Sequence, residues 1–127
     1  MKIVIAPQGF KGGLTGLVAA RAIRKGVLHA DPSSECVLAP IADGGDGTLQ
    51  ALVDSSGGRI LLGNVTDALG RPIKAEWGSM GDGVTAVIEM ARCSGLAMLS
   101  ADERDPLTTT TYGAGQLIKL ALDANHR

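Results

Sequence analysis

The chain opens with an apolar run, a glycine-containing loop and a helical pattern. Residues 3–6 are Ile-Val-Ile-Ala and are closed by Pro7, and a continuous β-branched run of this kind predicts a strand buried on both faces. Thr15 is placed to cap the helix that follows. The apolar residues of that helix recur every three or four positions, at Leu17, Ala20, Ile23 and Val27.

The same order is then repeated. Residues 36–39 form a second apolar run followed by a polar, glycine-rich loop, and a second helical pattern runs to the Gly57-Gly58 pair. Strand, loop and helix in alternation predict a βαβ crossover and a parallel sheet.

From Arg59 onward the hydrophobic period changes. Residues 60–66, 73–78 and 84–90 are typical of strands joined by turns, which predicts a β-meander. Residues 92–111 form an irregular polar stretch, and residues 114–124 carry a helical pattern. The sequence therefore predicts a three-layer α/β fold with a mainly parallel sheet and a meander. We expect an N-terminal α/β domain region at 1–91. For residues 92–127 we expect either the start of a second domain or a linker plus a helix, truncated in both cases.

Charge and apolar content narrow the class of protein. Twelve basic and thirteen acidic residues give a formal charge of −1, and without a basic run we expect no nucleic-acid partner. We expect no membrane partner and a cytoplasmic location, because no apolar stretch is long enough to be a signal or a membrane span. The chain stops just after a helix, so we expect a fragment of a longer protein. The apolar surface that such a fragment exposes favours its self-association.

Two polar loops follow the first two strands, at the sheet edge where ligands of parallel α/β proteins bind. The first, residues 7–13, offers Lys11 among glycines, and Lys11 is able to neutralise a phosphoryl or carboxylate oxygen. An ordinary surface lysine is the alternative, and the loop considered alone favours it.

The second loop is Ala-Asp-Gly-Gly-Asp-Gly-Thr at residues 42–48. Asp43 is a candidate Mg²⁺ ligand or general base, because carboxylates suit both tasks. The alternative is a helix cap in which Asp46 also interacts with the helix dipole. The loop by itself favours neither interpretation.

A third polar segment, residues 108–115, is Thr-Thr-Thr-Thr-Tyr-Gly-Ala-Gly. Its hydroxyls and backbone amides are suited to a carboxylate or phosphate. A redundant helix cap is the alternative, and the segment considered alone favours it. The sequence lacks the P-loop, the dinucleotide-binding fingerprint and the protein-kinase motifs, which argues against the common nucleotide-binding folds.

Taken together, these segments resemble the glycerate kinase family along essentially the whole chain. Each motif is weak alone, but their order and spacing are specific. The matching segments are K-I-V-I-A-P at 2–7, F-K-G at 10–12, A-D-G-G-D-G-T at 42–48, L-G-R-P at 69–72, A-V-I-E-M-A at 86–91, S-G-L at 94–96 and P-L-T-T-T-T-Y-G at 106–113.

The resemblance implies part of a two-domain α/β kinase that transfers the γ-phosphate of MgATP to D-glycerate, with 2-phosphoglycerate as the expected product. It makes Lys11 and Asp43 the candidate catalytic residues and leaves Asp46 to the cap. The implied substrate-binding residues are Ser94, Thr109, Thr110, Thr111 and Tyr112. The phosphate-loop candidates are Gly12, Gly44, Gly45 and Gly47, and no metal ligand is assigned.

The sequence departs from the family pattern at three points. Gln8 and Gly9 replace the acid and the serine of P-D-S-F-K-G, and Asp46 replaces a glutamate. The family also continues into a glycine-rich, phosphate-binding stretch that this chain lacks. We therefore expect the chain alone to be inactive. The alternatives are a non-catalytic remnant or binding module, and another sugar-acid or nucleotide-binding α/β protein.

Overall fold

The computed structural model describes residues 1–10 and 13–127. These fall into two compact units, Met1–Ala51 and Leu52–Arg127. Residue 91, where we expected a domain to end, lies inside the second unit, and the domain division of a longer protein stays a prediction. No helix of the described ranges is long and apolar enough to cross a membrane.

The first unit begins with the predicted βαβ arrangement. Strand β1 (Lys2–Ile5), helix α1 (Gly16–Ala30) and strand β2 (Glu35–Leu38) follow one another, and the two strands pair in parallel with Val4 opposite Val37. This confirms the α/β class. Parallel pairing within the described ranges is confined to these two strands.

Helix α1 starts where its sequence predicted. The Thr15 hydroxyl accepts a hydrogen bond from the Val18 amide at 3.3 Å, which satisfies one of the free N–H groups of the first turn. The helix ends at Ala30, beside Asp31, whose amide donates to the Val27 carbonyl at 2.8 Å.

The buried faces of β1 and α1 are narrower than predicted. Ile5 is 4% exposed but Val4 is 62% exposed, so the prediction of a strand buried on both faces is wrong for this chain. On α1, Ala20 is buried, whereas Leu17 and Ile23 are exposed. Two strands spaced about 4.8 Å apart make a narrow sheet, which covers only a strip of the helix.

The second unit contains the predicted meander. Strands β3 (Arg59–Thr66), β4 (Pro72–Ser79) and β5 (Ala86–Val87) pair antiparallel in that order. Helix α2 (Thr48–Ser56) precedes them, and helix α4 (Tyr112–Asp123) packs on β3. The core of the unit consists of Val65, Ala75, Trp77, Cys93, Leu117 and Ala121.

The third strand of the meander is shorter than predicted. Only residues 86 and 87 pair with β4, because the chain turns helical just after them: the Arg92 amide donates to the Glu89 carbonyl at 3.0 Å. Helix α3 (Ala91–Ser94) begins there. Two 3₁₀ helices, Leu96–Met98 and Ala101–Glu103, follow within the stretch we expected to be irregular.

Candidate functional site

An open pocket of about 360 Å³ lies in the second unit. The residues that line it are Ala68, Ser94, Leu96, Leu99, Thr109, Thr110 and Thr111. Four of these seven were predicted as substrate-binding residues, and the structure brings them together. The lining carries hydroxyl groups and no charged side chain, so it suits a small polar ligand held by several hydrogen bonds.

Asp105 shapes the threonine side of the pocket. Its carbonyl oxygen accepts the Thr108 amide at 3.2 Å and the Thr109 amide at 3.0 Å, and the Thr109 hydroxyl donates to the same oxygen. The next amide, that of Thr110, donates to the Ala68 carbonyl at 2.9 Å. The loop is therefore fixed both to itself and to the turn between β3 and β4.

Thr110 also marks the start of α4. Its hydroxyl oxygen accepts the Tyr112 amide at 3.1 Å, while its own proton can still be donated to a ligand. Thr111 holds the N-cap position without a side-chain cap bond. Part of the predicted helix cap is thus present, and it coexists with the pocket. Tyr112 is largely exposed and does not line the pocket, so its role stays a prediction.

Gly113 allows α4 to begin this close to the sheet. A Cβ atom at this position would lie 1.9 Å from the Thr66 carbonyl oxygen, well inside contact distance. The contact therefore requires glycine. Nearby, the Gln116 side-chain oxygen accepts the Thr66 amide at 2.8 Å and its hydroxyl at 3.1 Å.

Ser94 reaches the pocket from the end of α3. That short helix is tied to the sheet by Arg92, whose guanidinium lies 3.1 Å from the Glu76 carboxylate and 3.2 Å from that of Glu89. The buried Nε atom of Arg92 makes an ion pair with Glu89 but no well-aligned hydrogen bond. Cys93, fully buried beside Ser94, anchors the same turn in the core.

The Ala68 side of the pocket is held by a charged network. The buried Asp67 carboxylate accepts the amides of Leu69 and Arg71, each at 2.9 Å, and Arg71 Nε at 2.5 Å. Burial opposes ionisation of Asp67, but the hydrogen bonds from Arg71 and Leu69 outweigh it, and the pKa of Asp67 is lowered. Arg71 also donates to Glu103 at 2.7 Å.

The glycine-rich loop at 42–48 lies in the first unit. Asp43 is exposed, and its Oδ1 accepts the Gly45 amide at 2.9 Å, which forms an Asx turn. Gly44 donates its amide to the Thr48 hydroxyl at 3.0 Å. Gly44 and Gly47 have φ values of 91° and 95°, a conformation that favours glycine.

These bonds bear on the phosphate-loop prediction. The Gly44 and Gly45 amides are bonded within the loop, so an anion would have to displace those bonds to use them. Lys11 and Gly12 lie outside the described residues. Whether Asp46 caps α2 stays a prediction, as does any role of Gly47 towards phosphate.

Residues 1–10 and 13–127 bring no three His, Cys, Asp or Glu side chains close enough together to hold a metal ion. Asp43 offers one exposed carboxylate, and one of its oxygens already serves the loop. A bound Mg²⁺ commonly depends on substrate phosphates for several of its ligands.

Local sequence patterns did not identify Ala68, Leu99 or the Arg71 network. One usable signal was Ser-x-x-Glu at residues 100–103, which is typical of a capping box. The structure has that box, with the Ser100 amide donating to Glu103 at 3.0 Å. The other signal was the L-G-R-P segment at 69–72, which served as a motif of the family resemblance without any role assigned to Arg71.

Comparison with known proteins supports the motif-based resemblance. The family model described as "Glycerate kinase family" matches residues 3–127. A glycerate kinase of Bacillus subtilis (strain 168) is 53% identical over 124 residues, which cover 98% of this chain and 32% of the relative. A glycerate 2-kinase of Escherichia coli (strain K12) is 46% identical, with the same two coverages.

A solved structure leads to the same family. The crystal structure of a protein assigned as glycerate kinase 2 from Salmonella typhimurium LT2 is 45% identical and superimposes with a TM-score of 0.76, covering 99% of this chain and 34% of that one. The chain thus spans about a third of the length of the relatives it matches. On the family match and these relatives, the chain belongs to the glycerate kinase family.

Proposed function

We propose that the protein carrying this chain phosphorylates D-glycerate with MgATP, giving 2-phosphoglycerate, and that this chain supplies the pocket for the acid. The observation that carries the proposal is the hydroxyl-lined pocket of the second unit, built from segments that carry the family motifs. We also propose a cytoplasmic location for the protein, because MgATP is made and used there.

The pocket is suited to holding a small hydroxy acid. The Ser94, Thr110 and Thr111 hydroxyls can donate to carboxylate oxygens or bond the hydroxyls of the acid. The start of α4 adds the favourable end of a helix dipole for a negative charge. Because phosphoryl transfer depends mostly on positioning and charge stabilisation, holding the acceptor in one orientation is a large part of the task.

Asp43 and Lys11 are the proposed catalytic residues. An exposed carboxylate held by an Asx turn is able to accept the proton of an attacking hydroxyl. The Lys11 ammonium is proposed to offset phosphoryl charge. MgATP is proposed as donor because the family is a kinase family, and no step is assigned to the metal ion.

The test uses the product of the longest open reading frame that encodes this chain. We expect D-glycerate-dependent formation of ADP, with the phosphorylated position read by ³¹P NMR. Ser94→Ala removes a pocket hydroxyl and should raise the KM for glycerate. Thr110→Ser keeps the hydroxyl and should leave the KM unchanged. Lys119→Ala, which removes only a surface ion pair with Asp123, is the matched control. No ADP above the glycerate-free blank would refute the proposed activity.

A binding module without catalysis is the second candidate. It is favoured by the internal bonding of the Gly44 and Gly45 amides and by Gln8 and Gly9 in place of the family's acid and serine. Isothermal titration calorimetry separates the two: glycerate binding without phosphate transfer favours the module, whereas turnover excludes it.

A further inference from the structure

We infer that Arg71 is a positioning residue that sets the width of the acid pocket by linking two of its walls. The identity of the ligand, D-glycerate, rests on the proposed function. The link between the two walls rests on the hydrogen-bond network around Arg71. Arg71 does not line the pocket and is about half exposed. Its effect on a ligand must therefore pass through neighbouring groups.

The first wall is the turn between β3 and β4. Arg71 Nε and the Arg71 amide both donate to Asp67, which fixes the turn that contains Ala68. The Ala68 carbonyl accepts the Thr110 amide at 2.9 Å. A shift of this turn would therefore move the threonine loop, which carries the hydroxyls of the pocket.

The second wall is the segment before the 3₁₀ helix Ala101–Glu103. Arg71 Nη1 donates to Glu103 Oε1 at 2.7 Å, and Glu103 Oε2 accepts the Ser100 amide at 3.0 Å. The residue before Ser100 is Leu99, which lines the pocket. The Leu99 carbonyl accepts two hydrogen bonds from Arg104, from Nε at 3.3 Å and from Nη2 at 3.2 Å.

One guanidinium therefore joins both walls through two carboxylates. Arginine suits this task because its planar fork presents several donors at fixed angles, whereas a lysine ammonium is a compact charge on a flexible stem. Hydrogen bonds between charged groups are about twice as strong as neutral ones. The link is thus directional, and a lysine in its place would keep the charge but not the geometry.

The test compares Glu103→Gln, Arg71→Lys and the control Lys119→Ala in the product of the longest open reading frame. Glu103→Gln weakens the bridge while leaving Asp67 paired, so the variant should fold even if Arg71→Lys does not. We expect the KM for D-glycerate to rise about tenfold, the effect of losing one charge-assisted hydrogen bond, with kcat changed less than about twofold. An unchanged KM in Glu103→Gln, or an equal loss in kcat, would overturn the inference.

A second measurement does not depend on turnover. Amide hydrogen exchange of peptides covering residues 96–111 should be about tenfold faster in Glu103→Gln. The free-energy change that raises the KM about tenfold would also make local opening of this segment about tenfold more frequent. Exchange in the second half of α4 should be unchanged. If the unsubstituted protein shows no glycerate turnover, the proposed function fails, but this exchange result still decides whether Arg71 links the walls. Equal exchange in the variant and the parent protein would refute the link.

Discussion

Ser79 Oγ lies 2.9 Å from Nε2 of His126, and both side chains are buried. The other ring nitrogen, Nδ1, is 3.1 Å from the Ala124 carbonyl oxygen. Because a carbonyl only accepts, Nδ1 carries the proton in the neutral ring and Nε2 accepts the Ser79 hydroxyl. The ring also meets Trp77 edge to face, with centroids 5.2 Å apart. This pair fastens the C-terminal residues to β4.

Removing the Ser79 hydroxyl should destabilise the second unit. In Ser79→Ala, Nε2 of His126 is left buried without its donor, a loss that typically costs about 1–3 kcal/mol. Urea unfolding followed by the fluorescence of Trp77, the single tryptophan of the chain, measures it. Ser55→Ala on exposed α2 surface is the matched control and should stay within about 0.5 kcal/mol. Equal midpoints for Ser79→Ala and the parent chain would contradict the prediction.

Two glycines of α4 should respond in opposite directions to the same substitution. Gly113→Ala places a methyl group 1.9 Å from the Thr66 carbonyl oxygen, and we expect a loss of about 3 kcal/mol, the upper end for overpacking, or failure to fold. Gly115 has nothing within 4 Å of its Cβ position. Gly115→Ala should therefore stabilise the helix by about 0.5–1 kcal/mol. Thermal unfolding of both variants tests the pair, and similar shifts would refute the close contact.

The sequence predicts best those structural features that depend only on residues close together in the chain. The Thr15 cap, the start of α1 and the order of β3 and β4 follow from local patterns, and the structure confirms them. The exposure of Val4 does not follow from such patterns, because it depends on how many strands and helices cover the sheet. The end of β5 was missed for a related reason: the helical turn at Glu89 competes with strand pairing.

The candidate site was only partly predictable. Ser94 and the threonines were identified through the family resemblance, whereas local patterns alone favoured a helix cap at residues 108–111. The structure contains both features, because the Thr110 hydroxyl accepts the Tyr112 amide at the start of α4 and Thr110 also lines the pocket. Ala68 and Leu99 were missed, since they join the pocket through contacts between segments far apart in sequence. No local period encodes such contacts.

Asp82 should titrate at unusually low pH. The Thr85 hydroxyl donates to its carboxylate at 2.6 Å, and the Thr85 and Val84 amides donate at 2.8 and 2.9 Å. These bonds lower the pKa of Asp82 from 3.8 to about 2. Because the folded pKa is the lower one, the associated stability is present above the unfolded pKa and is lost as the pH falls from about 3.8 through about 2.

The Asp82 prediction is checked by ¹³C NMR titration of the carboxyl group. Thr85→Val removes the strongest of the three donors and should raise the pKa of Asp82 toward its ordinary value. Thr85→Ser keeps a hydroxyl and is the control, with a pKa close to that of the parent chain. If valine leaves the pKa where it was, the Thr85 hydroxyl does not cause the shift.

Asp43 is the sharpest test of the proposed chemistry, because asparagine can replace it without changing the loop. The Oδ1 of an asparagine can accept the Gly45 amide as the carboxylate does, so Asp43→Asn should unfold at the same urea concentration as the parent. If Asp43 is the general base, kcat should fall by about 10²–10⁴, while the KM for D-glycerate changes little. Activity is measured in the product of the longest open reading frame.

Asp123→Asn is the matched control for Asp43→Asn, since Asp123 is an exposed carboxylate whose contact is a surface ion pair with Lys119. Its kcat should equal that of the parent protein, because exposed ion pairs contribute little. A kcat near the parent value in Asp43→Asn as well would assign Asp43 to loop geometry alone. Asp43→Ala then separates the two roles, because alanine also removes the Asx turn. If the Asp43→Ala variant loses activity and the Asp43→Asn variant does not, the reaction requires the turn and not the charge.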